Sequence, residues 1–146
     1  MTDQNRVNWI LQAFFTGSSL VTFTPGTSGG SALNIHPPYN LRLMSAVGSN
    51  TANGTELTGT NGYTSLGNSL GASAFGTPAA GVQSNNNLVS WSASGAWSNV
   101  VGIEIWDTSA TPLRWLQGGI TSITGVVNGD TVQFAIASIS INSSLW

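Results

Sequence analysis

Apolar residues recur along this chain with two different periods. Val7, Ile10, Leu11 and Phe14 stand at i, i+3, i+4 and i+7, one stripe of a helix that Thr2 or Asp3 can cap and Gly17 can end. This predicts a short helix within residues 1–17, its stripe docked on a neighbour or sealing one end of the domain, because a free helix of that length is marginal in water. The chain beyond it reads with period two. Residues 18–24 (SSLVTFT) alternate as a strand would until Pro25-Gly26 and Gly29-Gly30 break them, and His36-Pro37-Pro38 stiffens the approach to a strand at 41–47 (LRLMSAV).

Between Gly48 and Asn87 the chain is rich in Gly, Asn and Thr, with isolated apolar anchors at Leu57, Tyr63, Leu66, Leu70, Phe75 and Val82. A structureless loop of about forty residues does not suit a compact domain. Short strands are therefore expected near 55–58 and 63–70, with turns at Asn53-Gly54 and Asn61-Gly62, and the segment 48–87 reads as an elaborated edge. The pattern then sharpens. Strands are expected at 88–93 (LVSWSA), at 100–107 (VVGIEIWD) and at 112–121 (PLRWLQGGIT), the last broken at Gly118-Gly119. In the second of these, Val101, Ile103 and Ile105 share one face and Gly102, Glu104 and Trp106 the other. Asn128-Gly129 lies between two β-rich runs, a strong hairpin signal. Val132, Phe134 and Ile136 share a face while Ile139 and Ile141 have the opposite parity, so a bulge near Ala137-Ser138 would return them to the core. Many short strands and one helix predict an all-β fold, an antiparallel β-sandwich with one short N-terminal α-helix, as a single domain over 1–146.

The length of 146 residues supports that count, since one domain commonly takes about 100–150. The absence of cysteine removes disulfides, thiolate metal sites and a cysteine nucleophile. No apolar run approaches the roughly 18 residues of a membrane span, and the stretch from Val7 to Phe15, interrupted by Asn8 and Gln12, is not expected to be a secretory signal. Charge changes the picture most. Arg6, Arg42 and Arg114 are the only strong cations, Asp3, Glu56, Glu104, Asp107 and Asp130 the only acids, and 5% of the chain is charged where about 25% is usual. Three scattered arginines cannot neutralise phosphates, and no basic amphipathic helix is present, so neither nucleic acid nor a membrane surface is expected as a partner. One charge per roughly 900 Å² of folded surface is sparse for a free monomer. Much of the surface is expected to face other proteins, with a low-charge, carbohydrate-contacting surface as the alternative.

Chemistry is hard to find. Gly67-Asn68-Ser69-Leu70-Gly71 fits the G-x-S-x-G pattern of a nucleophile elbow, but no amphipathic helix follows and the only histidine, His36, precedes the serine. His36 reads as a loop residue held by two prolines. Glu104 and Asp107 could be a glycosidase carboxylate pair. At i and i+3 on a strand they point to opposite faces, and Asp107 is better placed to open a turn over 107–112. No metal-ligand set, cofactor motif or catalytic residue emerges, and no enzyme is expected. Six tryptophans remain. Tryptophan with neighbouring Asn and Ser suits either a subunit interface or a sugar-stacking surface. Trp97 and Trp146 are candidates for the first, together with Val7, Ile10, Leu11 and Phe14. Trp97 and Asn99 are candidates for glycan contact.

Four short pieces, Gly62-Tyr63, Ala96-Trp97-Ser98-Asn99-Val100, Ile105-Trp106-Asp107 and Asn128-Gly129-Asp130-Thr131-Val132, carry a family likeness. With them the chain resembles small tail-fibre or minor virion proteins of tailed bacteriophages over residues 56–141, with the expected helix at 4–15 also in place. It departs from that pattern at Ser65, where an arginine is usual, and at Glu104, where a small or apolar residue is usual. The resemblance implies a virion structural protein, tail fibre, tail accessory or capsid decoration, that acts by assembly with itself and with other virion proteins. A homo-oligomer is expected, a trimer by family analogy; the alternative function is a carbohydrate- or host cell-wall-binding β-sandwich module, with host surface glycans as its contact.

Overall fold

The computed structural model describes residues 39–142 apart from 50, 71–74, 78 and 81. The expected helix within 1–17 with Val7, Ile10, Leu11 and Phe14, the strand at 18–24, His36 and Trp146 lie outside the described residues. Nine strands follow one another: β1 (Asn40–Ala46), β2 (Thr55–Glu56), β3 (Asn68–Ser69), β4 (Val82–Ser84), β5 (Val89–Ser92), β6 (Val100–Trp106), β7 (Arg114–Ile123), β8 (Thr131–Phe134) and β9 (Ser140–Asn142). Every strand pairing is antiparallel, and no helix occurs among the described residues. The fold is all-β. A five-stranded sheet runs β2-β1-β6-β7, with β3 sharing an edge of β1 with β2, and two ribbons, β4-β9 and β5-β8, complete it.

Alternation along β1 decides what lies on each side of the sheet. Leu41 and Leu43, both fully buried, pair with Ile105 and Ile103 of β6, whereas Arg42 and Met44 pair with Glu104 and Gly102 on the opposite face. The leucine face builds the core. Leu41, Leu43, Val100 and Ile105 of the sheet join Val89 and Trp91 of β5, Val132 of β8 and Ile141 of β9, and the loop anchors Leu57, Tyr63, Leu70 and Phe75 close the cluster. Each fully buried Leu, Ile, Val or Phe contributes about 1.5–3 kcal/mol, so these side chains hold sheet and ribbons together. Val100 differs in parity from Ile105 yet shares its core because the β6-β7 register shifts between Val100 and Gly102.

Five local expectations are corrected. The strand at 112–121 is not broken at Gly118-Gly119: β7 runs through, with Gly118 opposite Ile103 and Gly119 opposite Gly102. The close approach belongs to Gly102, where a Cβ would sit 3.0 Å from both the Gly118 carbonyl oxygen and Val47 Cγ2. Asn128-Gly129 does form a turn, with Gly129 at φ 94 and the Asp130 amide donating to the Val127 carbonyl at 3.1 Å, but it joins no hairpin. Its following strand β8 pairs instead with β5. Ile136 is 64% exposed rather than in line with buried Val132. A tight turn, not a bulge, restores the parity: Ala137 at φ 63 donates its amide to the Asn85 carbonyl, and Ser138 caps Ala135. Buried Asn85 holds this corner, its Nδ2 donating to the Asn87 and Ala135 carbonyls and its Oδ1 accepting from the Ile139 amide. The turn expected at Asn53-Gly54 falls earlier in the chain, where the Ser49 and Ala52 backbones bond to each other. Of the strand expected at 63–70, only Asn68–Ser69 pairs.

Candidate functional site

The Asn61-Gly62 turn forms as expected and organises a polar, aromatic corner. Asn61 and Gly62 both have positive φ, 54 and 87, and a Cβ on Gly62 would lie 2.1 Å from the Ser92 carbonyl oxygen, so only glycine fits there. The turn grips the 94–97 loop. Asn61 Nδ2 donates to the Ala96 carbonyl at 2.9 Å, while the Asn61 carbonyl accepts from the Ser94 amide and from Trp97 Nε1, each at 2.8 Å. Next along the chain, the Tyr63 ring stands edge-on to Trp97 with centroids 5.9 Å apart and lies 6.3 Å from Trp91. Its hydroxyl accepts from the Leu43 amide and donates to Glu56 Oε1 at 2.8 Å. Burial, with the Glu56 carboxylate adding to it, raises the Tyr63 phenol well above its ordinary pKa. Gly62-Tyr63 and Ala96-Trp97, separate motifs in the sequence, are thus two sides of one contact.

Beside that contact opens a cavity of about 190 Å³, lined by Leu57, Thr58, Thr60, Ala96, Trp97 and Ser98. Trp97 is half-buried, and Thr58, Thr60, Ser98 and Asn99 are exposed. Trp97 therefore serves the fold through its N–H and its ring contact with Tyr63 and also lines an open cavity.

Arg42 and Glu104 are placed quite differently, on the far side of the sheet from the core leucines. Arg42 lies 4.2 Å from the Trp106 ring centroid and pairs with Glu56 at 3.4 Å. Glu104, 1% exposed, accepts from the Gly54 amide at 2.8 Å and Arg114 Nη1 at 3.0 Å on one oxygen and from Trp106 Nε1 at 2.9 Å on the other. Arg114 reaches further, to Gln117 Oε1 and the Ala52 and Ser49 carbonyls. Asp107 opens its turn as expected: Oδ1 accepts from the Ser109 amide and hydroxyl and the Leu113 amide, and Oδ2 from Trp115 Nε1. Burial alone would raise the Asp107 carboxyl, but these donors outweigh it and hold the group below its ordinary value. Both carboxylates of the would-be glycosidase pair are committed to the protein's own backbone and indoles. Ser69 lies in β3 opposite Asn40, a strand pairing and not a nucleophile elbow. Among the described residues, no cluster of three or more acidic or histidine side chains could hold a metal ion.

The sequence points to Trp97, Asn99, Glu104 and Asp107, but not to Arg114 as the donor to Glu104 or to Gln117 as a second acceptor for Arg114. The available signal was Glu104 itself, an acid alternating with apolar residues in a strand. Among the described residues the result is a nearly neutral exterior. Of the six charged residues described, Arg42, Glu104 and Asp107 are buried, Glu56 and Arg114 half-buried, and Asp130 alone is exposed.

Among the described residues the fold is all-β and the buried ionisable groups are held by backbone, indole and guanidinium partners within the chain. Residues 28–142 match the family described as Podophage GP4 fiber I protein gp80, and the chain belongs to that family of phage fibre proteins. It is a component of the virion. No curated protein and no solved structure matches it.

Proposed function

We propose that this chain is a fibre subunit that works by symmetric assembly, as a homo-oligomer in contact with other virion proteins. One observation carries the reading: a single exposed charge among the described residues. Interface cores are depleted of charge, and a freely soluble monomer carries a mixed, charged surface. Exposed Leu88 and Ile136, together with Val47, Leu66, Leu113 and Val127, add apolar area that an assembled copy would cover. The five-stranded sheet and the two ribbons, sharing one core, act as the two sides of a sandwich. The terminal stripe Val7, Ile10, Leu11 and Phe14, with Trp146, supplies further interface. A trimer is the expected state, and tail fibre is preferred over tail accessory or capsid decoration because the family is one of fibres.

Sedimentation equilibrium of the full chain at micromolar concentration tests this, and a trimer is expected. A stable monomer that also fails to enter particles would overturn it. Contact with host surface glycans is a second reading, favoured by the hydroxyl-lined cavity beside Trp97.

A further inference from the structure

We propose that the cavity at Trp97 is a binding site for one neutral pyranose ring of a surface glycan. Its biological setting rests on the fibre reading; its chemistry does not. The volume of about 190 Å³ lies below the roughly 300 Å³ at which pockets for drug-sized ligands begin, so the guest is a single small ring. The lining offers two kinds of surface. Leu57, Ala96 and the Trp97 indole are apolar, and Thr58, Thr60 and Ser98 carry hydroxyls. A pyranose is matched to such a site, because its C–H groups pack on an aromatic side chain while its hydroxyls need both donors and acceptors. Among the described residues none of the three lining hydroxyls is hydrogen-bonded within the protein. Each has a donor and two lone pairs to give.

The site is also held in place before any ligand arrives. Trp97 is fixed by the hydrogen bond its Nε1 donates to the Asn61 carbonyl, by the one its backbone amide donates to the Val126 carbonyl, and by its T-shaped contact with Tyr63. The Thr58–Thr60 backbone is folded on itself, the Thr60 amide donating to the Thr58 carbonyl at 2.7 Å and the Thr60 carbonyl accepting from the Tyr63 amide at 3.0 Å. Little ordering cost remains to be met on binding. Charge selects the class of sugar. Among the described residues no charged side chain lines the cavity, so none of them compensates the desolvation of a uronate or sialate carboxylate. One such site binds weakly, and copies repeated along an oligomer raise the avidity through effective concentration.

The experiment is an amide-detected NMR titration of the full chain with methyl α-glucopyranoside, methyl α-mannopyranoside, N-acetylglucosamine, rhamnose and glucuronate. At least one neutral sugar is expected to give saturable shifts confined to 57–60 and 96–99, and glucuronate none. The triple variant Thr58→Val, Thr60→Val, Ser98→Ala removes hydroxyls that serve no fold contact, and its affinity is expected to fall about tenfold or more. Trp97→Ala also loses a turn contact, so the triple variant carries the decision. Absence of saturable shifts for every neutral sugar at about 100 mM, equal response to glucuronate, or undiminished binding by a folded triple variant would each overturn the site. Sedimentation of the same samples, with particle incorporation, keeps the two proposals apart: a trimer that ignores sugars sinks only the site, and a monomer that binds them but fails to enter particles sinks only the assembly.

Discussion

Arg114→Met tests whether the buried charges hold the open end of the sheet. Glu104 is 1% exposed, and the side chain of Arg114 is 12% exposed, so their 3.0 Å pair is shielded from water. Removing the guanidinium leaves the carboxylate with only the Gly54 amide and Trp106 Nε1, and frees the Ala52 and Ser49 carbonyls that Arg114 ties to β7. Breaking one side of a buried pair costs about 3–5 kcal/mol, mostly because the remaining charge is stranded. The expected loss is therefore about 4 kcal/mol, which for a domain of this size lowers Tm by about 12 °C. Most of that cost should be recoverable. Adding Glu104→Gln removes the stranded charge while keeping an oxygen for the Gly54 amide, so the double variant should be about 2 kcal/mol more stable than Arg114→Met alone. Urea unfolding of the parent, the two single variants and the double variant at pH 7, fitted with a common slope, gives both numbers. If Arg114→Met unfolds within about 1 kcal/mol of the parent, or if Glu104→Gln worsens it, the stranded-charge argument is wrong.

Gly62→Ala should cost about 2 kcal/mol or more, since it meets both a φ of 87 and the Ser92 carbonyl oxygen at 2.1 Å. Gly129→Ala, at φ 94 but with nothing within 4 Å of the added Cβ, is the control and should cost only about 1 kcal/mol in the same thermal melts. The pH profile of stability follows from two shifts of opposite sign. Asp107 is depressed in the fold, so its contribution is complete above the ordinary value of 3.8 and is lost as pH falls through the lower folded value; Asp107→Asn should flatten that acid limb. Tyr39 and Tyr63 are raised by burial, so their contribution is complete below pH 10 and is lost as pH rises beyond it. Alkaline melts of Tyr63→Phe should show a shallower limb than those of the parent.

Sequence by itself determined the all-β class, the positions of β1, β5 and β6 to within a residue at each end, the Asn61-Gly62 turn and the Asx role of Asp107. These are local matters: side-chain alternation, a left-handed Gly and a short carboxylate reaching its own next turn are settled over a few residues. Partner choice was decided only by the tertiary structure. Asn128-Gly129 was legible as a turn, but β8 turned to β5 because pairing there places Val132 against Trp91 in the shared core. Ile136 had the parity of a core residue and lies outside, because Asn85, remote in sequence, draws the chain into a turn at Ala137. The candidate site divides the same way. Trp97 was visible as an aromatic among Ser and Asn, whereas its seat against Tyr63 and the cavity shared with Thr58 and Thr60 exist only once loop 57–63 is folded over loop 94–98. The charges make the point most sharply: counting eight of them was possible from the sequence, but burial and pairing arise from sheet register, and it is register that sets Glu104 beside Arg42 and within reach of Arg114.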